Sequence, residues 1–228
     1  MTEIARNLEA VRHRIHEACE RAGRRAEEIT LIAVTKTYEP DIILQAVREG
    51  ARDLGENRVQ EWLRKKDAIP QDVRWHLIGQ LQTNKVKYLV GQIGLIHSVD
   101  SMRLADEIER RAAKLDATQE ILVQVNVAGE EQKGGISLEE LDALIHHIRG
   151  LKHLRLRGLM NIALYTDDAV VLREDFRKMK CLFDRYRVGH ESDFDVLSMG
   201  MSGDFEIAIE EGATMIRVGS SIFGRRMA

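Results

Sequence analysis

The first residue with chemical potential is a lysine that comes almost directly after an apolar segment. Lys36 follows the segment Ile29–Val34, and strand alternation places it on the same face as Ile32 and Val34. A partly desolvated amine loses its proton more easily and becomes a nucleophile for an aldehyde or ketone. On position alone, a surface lysine that simply ends a strand is the more common case. Lys36 is therefore a candidate that needs support from other residues.

Two short loops near the end of the chain combine glycine with hydroxyl side chains. The first loop is Ser198–Asp204, which precedes a helical segment, and the second is Gly219–Gly224. Backbone N–H groups at a helix start can bind an anion. Serine and glycine also make ordinary turns, so each loop alone is weak evidence. Their joint occurrence favours a phosphate site.

An arginine interrupts the apolar segment between these loops. Arg217 lies inside Met215–Val218, where a parallel strand is expected to be apolar, and a buried guanidinium needs a partner. The partner is either an acidic side chain or a ligand heteroatom. His76 is also surrounded by apolar residues, where a histidine is more often a hydrogen-bonded core residue. Asn57 could reach a ligand or belong to a helix start, and Met160 is most simply core filler.

The elements that must position these residues alternate between apolar segments and segments of helical periodicity. Eight apolar segments are predicted as strands: Ile29–Val34, Ala51–Leu54, Val73–Ile78, Leu95–Val99, Ile121–Val127, Leu154–Met160, Phe194–Met199 and Met215–Val218. Eight such repeats predict an α/β fold, a single (β/α)8 TIM-type barrel. An open doubly wound sheet is the alternative, because periodicity does not show closure. An additional N-terminal helix, residues 1–22, is expected to pack on the barrel, and residues 1–228 form one domain.

Composition excludes several classes of protein. The chain has 228 residues, 44% of them hydrophobic, and a net charge of −3, which fits a globular protein and argues against a broad nucleic-acid or membrane surface. Aromatic residues make up only 5%, which disfavours a base-stacking platform. Cys19 and Cys181 are too few for a disulfide framework, and no metal site is expected. Without a signal peptide or an apolar segment of about 20 residues, we expect a cytoplasmic protein.

In a barrel of this type, chemistry lies at the carboxyl ends of the strands, and phosphate often binds after strands seven and eight. A Schiff-base lysine, a phosphate site and an internal arginine together indicate an aldehyde cofactor with a phosphate and a ring nitrogen. Pyridoxal 5′-phosphate (PLP) has all three. A Schiff-base aldolase acting on a phosphorylated sugar would use the same lysine position. The loop at 125–135 could cover the cofactor.

The sequence also resembles a known family, the pyridoxal phosphate homeostasis proteins (YggS/PROSC). The similar stretches are LIAVTK at 31–36, LGENRVQE at 54–61, WHLIGQLQTNK at 75–85, HSVDS at 97–101, VNVAGEEQKGG at 125–135, RGLM at 157–160, LSMGMSGD at 197–204 and IRVGSSIFG at 216–224. They cover nearly the whole chain. The family is similar in fold to the barrel domain of alanine racemases and eukaryote-type ornithine decarboxylases.

The resemblance implies a role for each candidate residue. It implies that Lys36 holds PLP as a Schiff base and that Arg217 faces the pyridine nitrogen. The implied phosphate ligands are Ser198, Ser202, Gly219 and Ser220, and the implied pocket residues are Asn57, His76, Met160 and Met201.

The implied function is intracellular PLP homeostasis without robust turnover. PLP-dependent apo-enzymes are possible recipients, and we expect a monomer. A PLP-dependent amino-acid racemase is the alternative. The chain ends soon after the eighth predicted strand, so the C-terminal domain that supplies the second base of alanine racemases is expected to be absent.

Overall fold

The computed structural model describes residues 2–129 and 134–224, and its centre is a closed barrel of eight parallel strands in sequence order. The strands are β1 Thr30–Val34, β2 Asp53–Glu56, β3 Arg74–Leu77, β4 Leu95–Val99, β5 Gln119–Gln124, β6 Leu154–Met160, β7 Val196–Met201 and β8 Met215–Val218. The helices are α1 Glu3–Arg21, α2 Pro40–Arg48, α3 Val59–Lys65, α4 Met102–Lys114, α5 Leu138–Arg149, α6 Ala169–Arg187, α7 Phe205–Glu210 and α8 Ser220–Phe223. A 3-10 helix, Thr83–Tyr88, stands between β3 and β4.

Closure depends on the first strand, which pairs on both of its edges. Ile32 of β1 is in register with Asp53 of β2 on one side and with Arg217 of β8 on the other. Every strand therefore has two neighbours and the sheet has no edge. This pairing confirms the predicted barrel and excludes the open doubly wound sheet.

Three strands are displaced by two or three residues from the apolar segments that predicted them. The second was predicted at Ala51–Leu54 but spans Asp53–Glu56, because a buried carboxylate, Glu56, occupies its last position. The fifth was predicted to reach Val127 but ends at Gln124. Beyond it, Val125 makes only an isolated bridge to Ile136. The seventh was predicted at Phe194–Met199 but spans Val196–Met201. Hydrophobicity predicted where these strands lie but not their ends.

The N-terminal helix is confirmed as α1 and packs beside the last elements of the barrel. Thr2 caps it by accepting a hydrogen bond from the N–H of Ala5. Its apolar stripe is buried, and the helix contacts α7 and α8. Asn7 donates to the carbonyl of Ile222 over 2.9 Å, and Arg14 pairs with Glu206 at 2.8 Å. Helix α1 thus supports α7, which follows the first loop predicted to bind phosphate, and α8, which lies within the second.

A small apolar cluster separate from the main core brings together side chains of six strands inside the barrel. Its members are Ile32, Leu95, Leu122, Met160, Val196 and Met215. The main core lies between the strands and the surrounding helices. Cys19 and Cys181 are both free thiols, as expected. Within the described part of the chain, no helix is long and apolar enough to cross a membrane.

Candidate cofactor site

A cavity of about 620 Å³ opens at the carboxyl ends of the strands. This volume is within the range of small-molecule sites. Seven of the ten predicted site residues line it: Lys36, Asn57, Met201, Ser202, Arg217, Gly219 and Ser220. They come from the turns after β1 and β2, from the end of β7 and the residue after it, from β8 itself and from the start of α8. The barrel thus joins residues that lie up to 184 positions apart, from Lys36 to Ser220.

Lys36 lies in the turn after β1 and is half-buried. Val34, two residues earlier, lines the same cavity, so the alternation that predicted a shared face is confirmed. The turn is tight, and Thr37 adopts a φ of 71°, a left-handed conformation that is uncommon for a non-glycine residue. Such a conformation persists only when surrounding contacts hold it.

Buried polar groups from the next βα unit hold this turn from behind. The ammonium group of Lys65 donates to the carbonyl of Thr35 over 2.9 Å and to Oε1 of Glu56 over 2.6 Å. The hydroxyl of Thr35 donates to the same carboxylate oxygen over 2.7 Å. The backbone N–H of Thr37 donates to Oε2 of Glu61 over 2.9 Å. The residues on both sides of Lys36 are therefore anchored, and we name Glu56, Glu61 and Lys65 the turn anchor.

Burial dominates the electrostatics of the turn anchor. Glu56 is fully buried, and burial raises the pKa of its carboxyl group, although the bonds to Lys65 and Thr35 act in the opposite direction. Its second oxygen, Oε2, has no hydrogen-bond partner among the described residues. Sequence reasoning missed the pair of Glu56 and Lys65. Glu56 ends β2 and Lys65 ends α3, and an apolar pattern gives no signal that two such charged residues meet.

The loops after β7 and β8 meet at Ser202. Its hydroxyl oxygen accepts from the backbone N–H of Gly219 at 3.1 Å and of Ser221 at 3.5 Å. These two donors therefore converge on one oxygen. A Cβ atom at Gly203, which also lines the cavity, would meet no heavy atom within 4 Å. The predicted meeting of the two loops is confirmed, while their role toward a phosphate stays a prediction.

Glycine is required where the segment after β3 passes the loop after β2. A Cβ at Gly79 would lie 2.3 Å from the carbonyl oxygen of Asn57, which is closer than real contacts allow. The absence of a side chain lets Gly79 approach Asn57, and both residues line the cavity. Met201 is 37% exposed at the cavity rim.

Arg217 reaches the cavity from inside the barrel. One terminal nitrogen donates to the hydroxyl oxygen of Ser198 over 2.6 Å, and the other donates to the carbonyl of Asn161 over 2.7 Å. Burial lowers the pKa of Arg217 to about 10, while the charge of Asp204 opposes that shift. The acidic partner considered from the sequence is not found in direct contact among the described residues, since both bonded acceptors are neutral.

The other three predicted residues lie below the cavity. Ser198 and His76 are fully buried, and Met160 belongs to the apolar cluster inside the barrel. None of the three lines the cavity. Ser198 contacts Arg217, however, and so lies one hydrogen bond away from it. The direct cofactor contacts assigned to them stay predictions.

A histidine that sequence reasoning did not select links these buried residues. Nδ1 of His97 lies 3.1 Å from the hydroxyl of Ser198, and its Nε2 lies 3.0 Å from Nδ1 of His76. Nε2 of His76 in turn lies 2.9 Å from Oδ1 of Asp53. The available signal was a histidine at the centre of the apolar segment Leu95–Val99. We name Arg217, Ser198, His97, His76 and Asp53 the barrel relay.

Burial lowers the pKa of both relay histidines, that of His97 strongly. Both rings therefore stay neutral at pH values at which an exposed histidine is already protonated. The unfolded chain binds these protons below about pH 6.5, before the folded protein does. The free energy of unfolding is therefore expected to fall as the pH drops through 6.5, by at most about 1.4 kcal/mol per pH unit for each histidine. Denaturant unfolding between pH 7.5 and 5 measures this slope.

The variant His97→Gln is expected to lose one histidine's share of that slope, because glutamine does not titrate. His146→Gln, at an exposed position, serves as the matched control and is expected to keep it. Taking the difference between variant and parent removes the contribution of the carboxylates. Equal slopes in all three proteins would contradict the buried, neutral assignment of His97.

Comparison with known proteins agrees with this geometry. A family model described as the alanine racemase N-terminal domain matches residues 6–227. The pyridoxal phosphate homeostasis protein of Aquifex aeolicus is 46% identical over 96% of both chains. That of Escherichia coli K12 is 40% identical over 99% of this chain and 98% of its own. The chain belongs to the pyridoxal phosphate homeostasis protein family.

Solved structures of other proteins have folds similar to this one. PipY of Synechococcus elongatus PCC7942, in its structure with PLP bound, has a TM-score of 0.85 and 33% identity, covering 97% of this chain and 100% of PipY. An alanine racemase of Clostridium difficile has a TM-score of 0.73 at 16% identity, covering 97% of this chain and 56% of its own. The likeness to the racemase concerns the fold alone. The family resemblance seen in the sequence is thus confirmed.

Proposed function

We propose that this protein binds pyridoxal 5′-phosphate in intracellular PLP homeostasis and holds it as a Schiff base on Lys36. The observation that carries the proposal is the cavity, which gathers an amine, a buried guanidinium and two serine- and glycine-containing loops. The names of the family members and the PLP-bound structure of PipY support it. When bound, PLP supplies an aldehyde carbon and a conjugated ring.

Each part of the cavity suits one part of that cofactor. Lys36, once unprotonated, can condense with an aldehyde carbon and release water. The converging N–H groups of Gly219 and Ser221, with Ser202 beside them, suit the oxygens of a phosphate. Arg217 offers a charged donor to the ring nitrogen. Asn57 and Met201 line the remaining wall.

The remaining features of the proposal concern the protein as a whole. We propose that residues 1–228 act as one domain, as a cytoplasmic monomer, and that PLP-dependent apo-enzymes receive the cofactor. Gel filtration with light scattering would measure the mass of the particle. Transfer to a purified apo-enzyme, followed through recovery of its activity, would test delivery.

The absorption spectrum tests the cofactor directly. Addition of PLP to the purified protein is expected to produce a visible band that differs from free PLP and saturates at one equivalent. Only a conjugated Schiff base such as that of PLP absorbs there. The aldolase alternative predicts instead that borohydride traps a phosphorylated sugar on the same lysine, through a Schiff base without a conjugated ring.

The protein is not expected to racemise amino acids at an enzymatic rate. Racemisation is helped by two bases on opposite faces of the substrate. Lys36 can serve one face, whereas the hydroxyl of Tyr38 already donates to the carbonyl of Gly224 over 3.0 Å. Tyr165 lines the cavity but is fully exposed. Neither tyrosine of the described cavity wall is therefore held as a second base.

The test follows the chirality of L-alanine and other L-amino acids, with deuterium uptake at Cα, in the presence of PLP-loaded protein. Turnover is expected to stay below the ~1–10³ s⁻¹ typical of enzymes. Turnover within that range that disappears in Lys36→Ala would favour the racemase alternative instead.

A further inference from the structure

The barrel relay connects the cavity with the opposite end of the barrel, and Arg217 is the one member of the relay that the proposed function uses. It runs from Arg217 on β8 through Ser198 on β7 to His97 on β4, then through His76 on β3 to Asp53 on β2. Every link is between 2.6 and 3.1 Å long. Ser198, His97 and His76 are fully buried, whereas the side chain of Asp53 is 25% exposed.

The chemistry of the two ends fixes the direction of every hydrogen bond. The carboxylate of Asp53 only accepts, so the proton of neutral His76 is on Nε2 and its Nδ1 accepts. His97 then donates from Nε2 and accepts at Nδ1. The hydroxyl of Ser198 donates to that nitrogen, and its oxygen accepts from Arg217. All four bonds point from Arg217 toward Asp53.

The common direction of these hydrogen bonds bears on the buried charge of Arg217. Its guanidinium is buried and bonded to two neutral oxygens, those of Ser198 and Asn161. A buried cation needs compensation. Aligned hydrogen bonds polarise one another, so a carboxylate at one end strengthens the acceptor at the other. Asp53 therefore acts on Arg217 through three neutral groups without touching it.

We propose that Asp53, His76, His97 and Ser198 are positioning residues that orient Arg217 and keep it a charged donor toward the ring nitrogen of the cofactor. The inference rests on the proposed function, in which Arg217 meets that nitrogen. It also makes Ser198 a partner of Arg217 and not a ligand of the phosphate, because the single proton of its hydroxyl is already donated to His97.

The test compares two ligands, PLP and its carbocyclic analogue with C–H in place of the ring nitrogen. His97→Phe breaks the relay, whereas His97→Gln keeps a donor and an acceptor and is expected to restore most of the affinity. Loss of a hydrogen bond to a charged group predicts about tenfold weaker binding of PLP by His97→Phe and Ser198→Ala. Binding of the carbocyclic analogue is expected to stay unchanged. Equal losses for the two ligands would overturn the proposal.

A second arm separates positioning from general damage to the fold. Asp53→Leu is expected to weaken PLP binding, and in the Arg217→Gln background the same change is expected to have no further effect. Asp72→Leu is the matched control: this carboxylate pairs with Arg52, is 64% exposed, and does not contact the relay. Additive losses at Asp53 and Arg217 would contradict the coupling, because residues that act through one another are not additive.

Histidine ¹⁵N NMR of the unmodified protein without PLP tests the relay independently of any variant. Both His76 and His97 are expected to be neutral with the proton on Nε2. A proton on Nδ1 of either ring would overturn the proposal, whatever the affinity for PLP. Failure of the parent protein to bind PLP would instead refute the proposed function and leave the tautomers to decide the relay.

Discussion

Borohydride reduction of the PLP-loaded protein is expected to fix the cofactor on Lys36 and on no other lysine. The reduced linkage survives denaturation and digestion, so mass spectrometry of the peptides locates it. Lys36 lines the cavity, and the turn anchor holds the residues on both sides of it. In Lys36→Ala, covalent attachment is expected to disappear completely. Noncovalent binding is expected to persist, because the loops after β7 and β8 remain.

The half-buried Lys85 offers a matched control, since Lys85→Ala is expected to keep the label on Lys36. A label on Lys85 in the parent protein would contradict the assignment of the lysine. The same holds for Lys133, which lies outside the described residues. A label distributed over many surface lysines would show that the cavity does not direct the condensation.

PLP is expected to bind at least ~100-fold more tightly than pyridoxal, which lacks the phosphate. Each hydrogen bond to a charged group contributes about 1.5–3 kcal/mol, and a factor of ten requires about 1.4 kcal/mol. Ser202, Gly219 and Ser220 all line the cavity and belong to the two loops that meet there. Two well-formed bonds therefore suffice for the expected ratio. Titrations with both ligands, followed by absorption, measure it.

Ser202→Ala locates the effect on these loops. This variant is expected to weaken PLP binding while leaving pyridoxal binding nearly the same, because only PLP carries the phosphate. Ser137 caps α5 and does not line the cavity, so Ser137→Ala controls for loss of a serine hydroxyl. Similar affinities of the parent protein for PLP and pyridoxal would contradict a phosphate site at these loops.

Strand periodicity was enough to predict eight strands that alternate with helices, but it did not show that the sheet closes into a barrel. The eight apolar segments mark strands, yet only the pairing of β1 with β8 distinguishes a barrel from an open sheet. That pairing joins residues about 185 positions apart, such as Thr30 and Met215. No local pattern carries such information. The carboxyl-end rule for these barrels then predicted which loops meet.

The depth of a residue inside the barrel was the property that the sequence did not reveal. Alternation predicts which side chains point inward, and Met160, His76 and Ser198 are all fully buried. Inward-facing residues form several layers, however, and only the uppermost lines the cavity. His97 escaped selection for the same reason, because a histidine in an apolar strand looks like core until its partners are known.

The buried ion pair of Lys65 and Glu56 separates two properties that protein engineers commonly select together. Exchange of such a pair for apolar residues of similar volume is often neutral or stabilising. The same exchange would remove the ammonium group that holds the carbonyl of Thr35, next to Lys36. A library sorted by heat resistance would therefore retain sequences that a library sorted by cofactor capture discards. Directed evolution of this barrel requires a screen that measures cofactor binding.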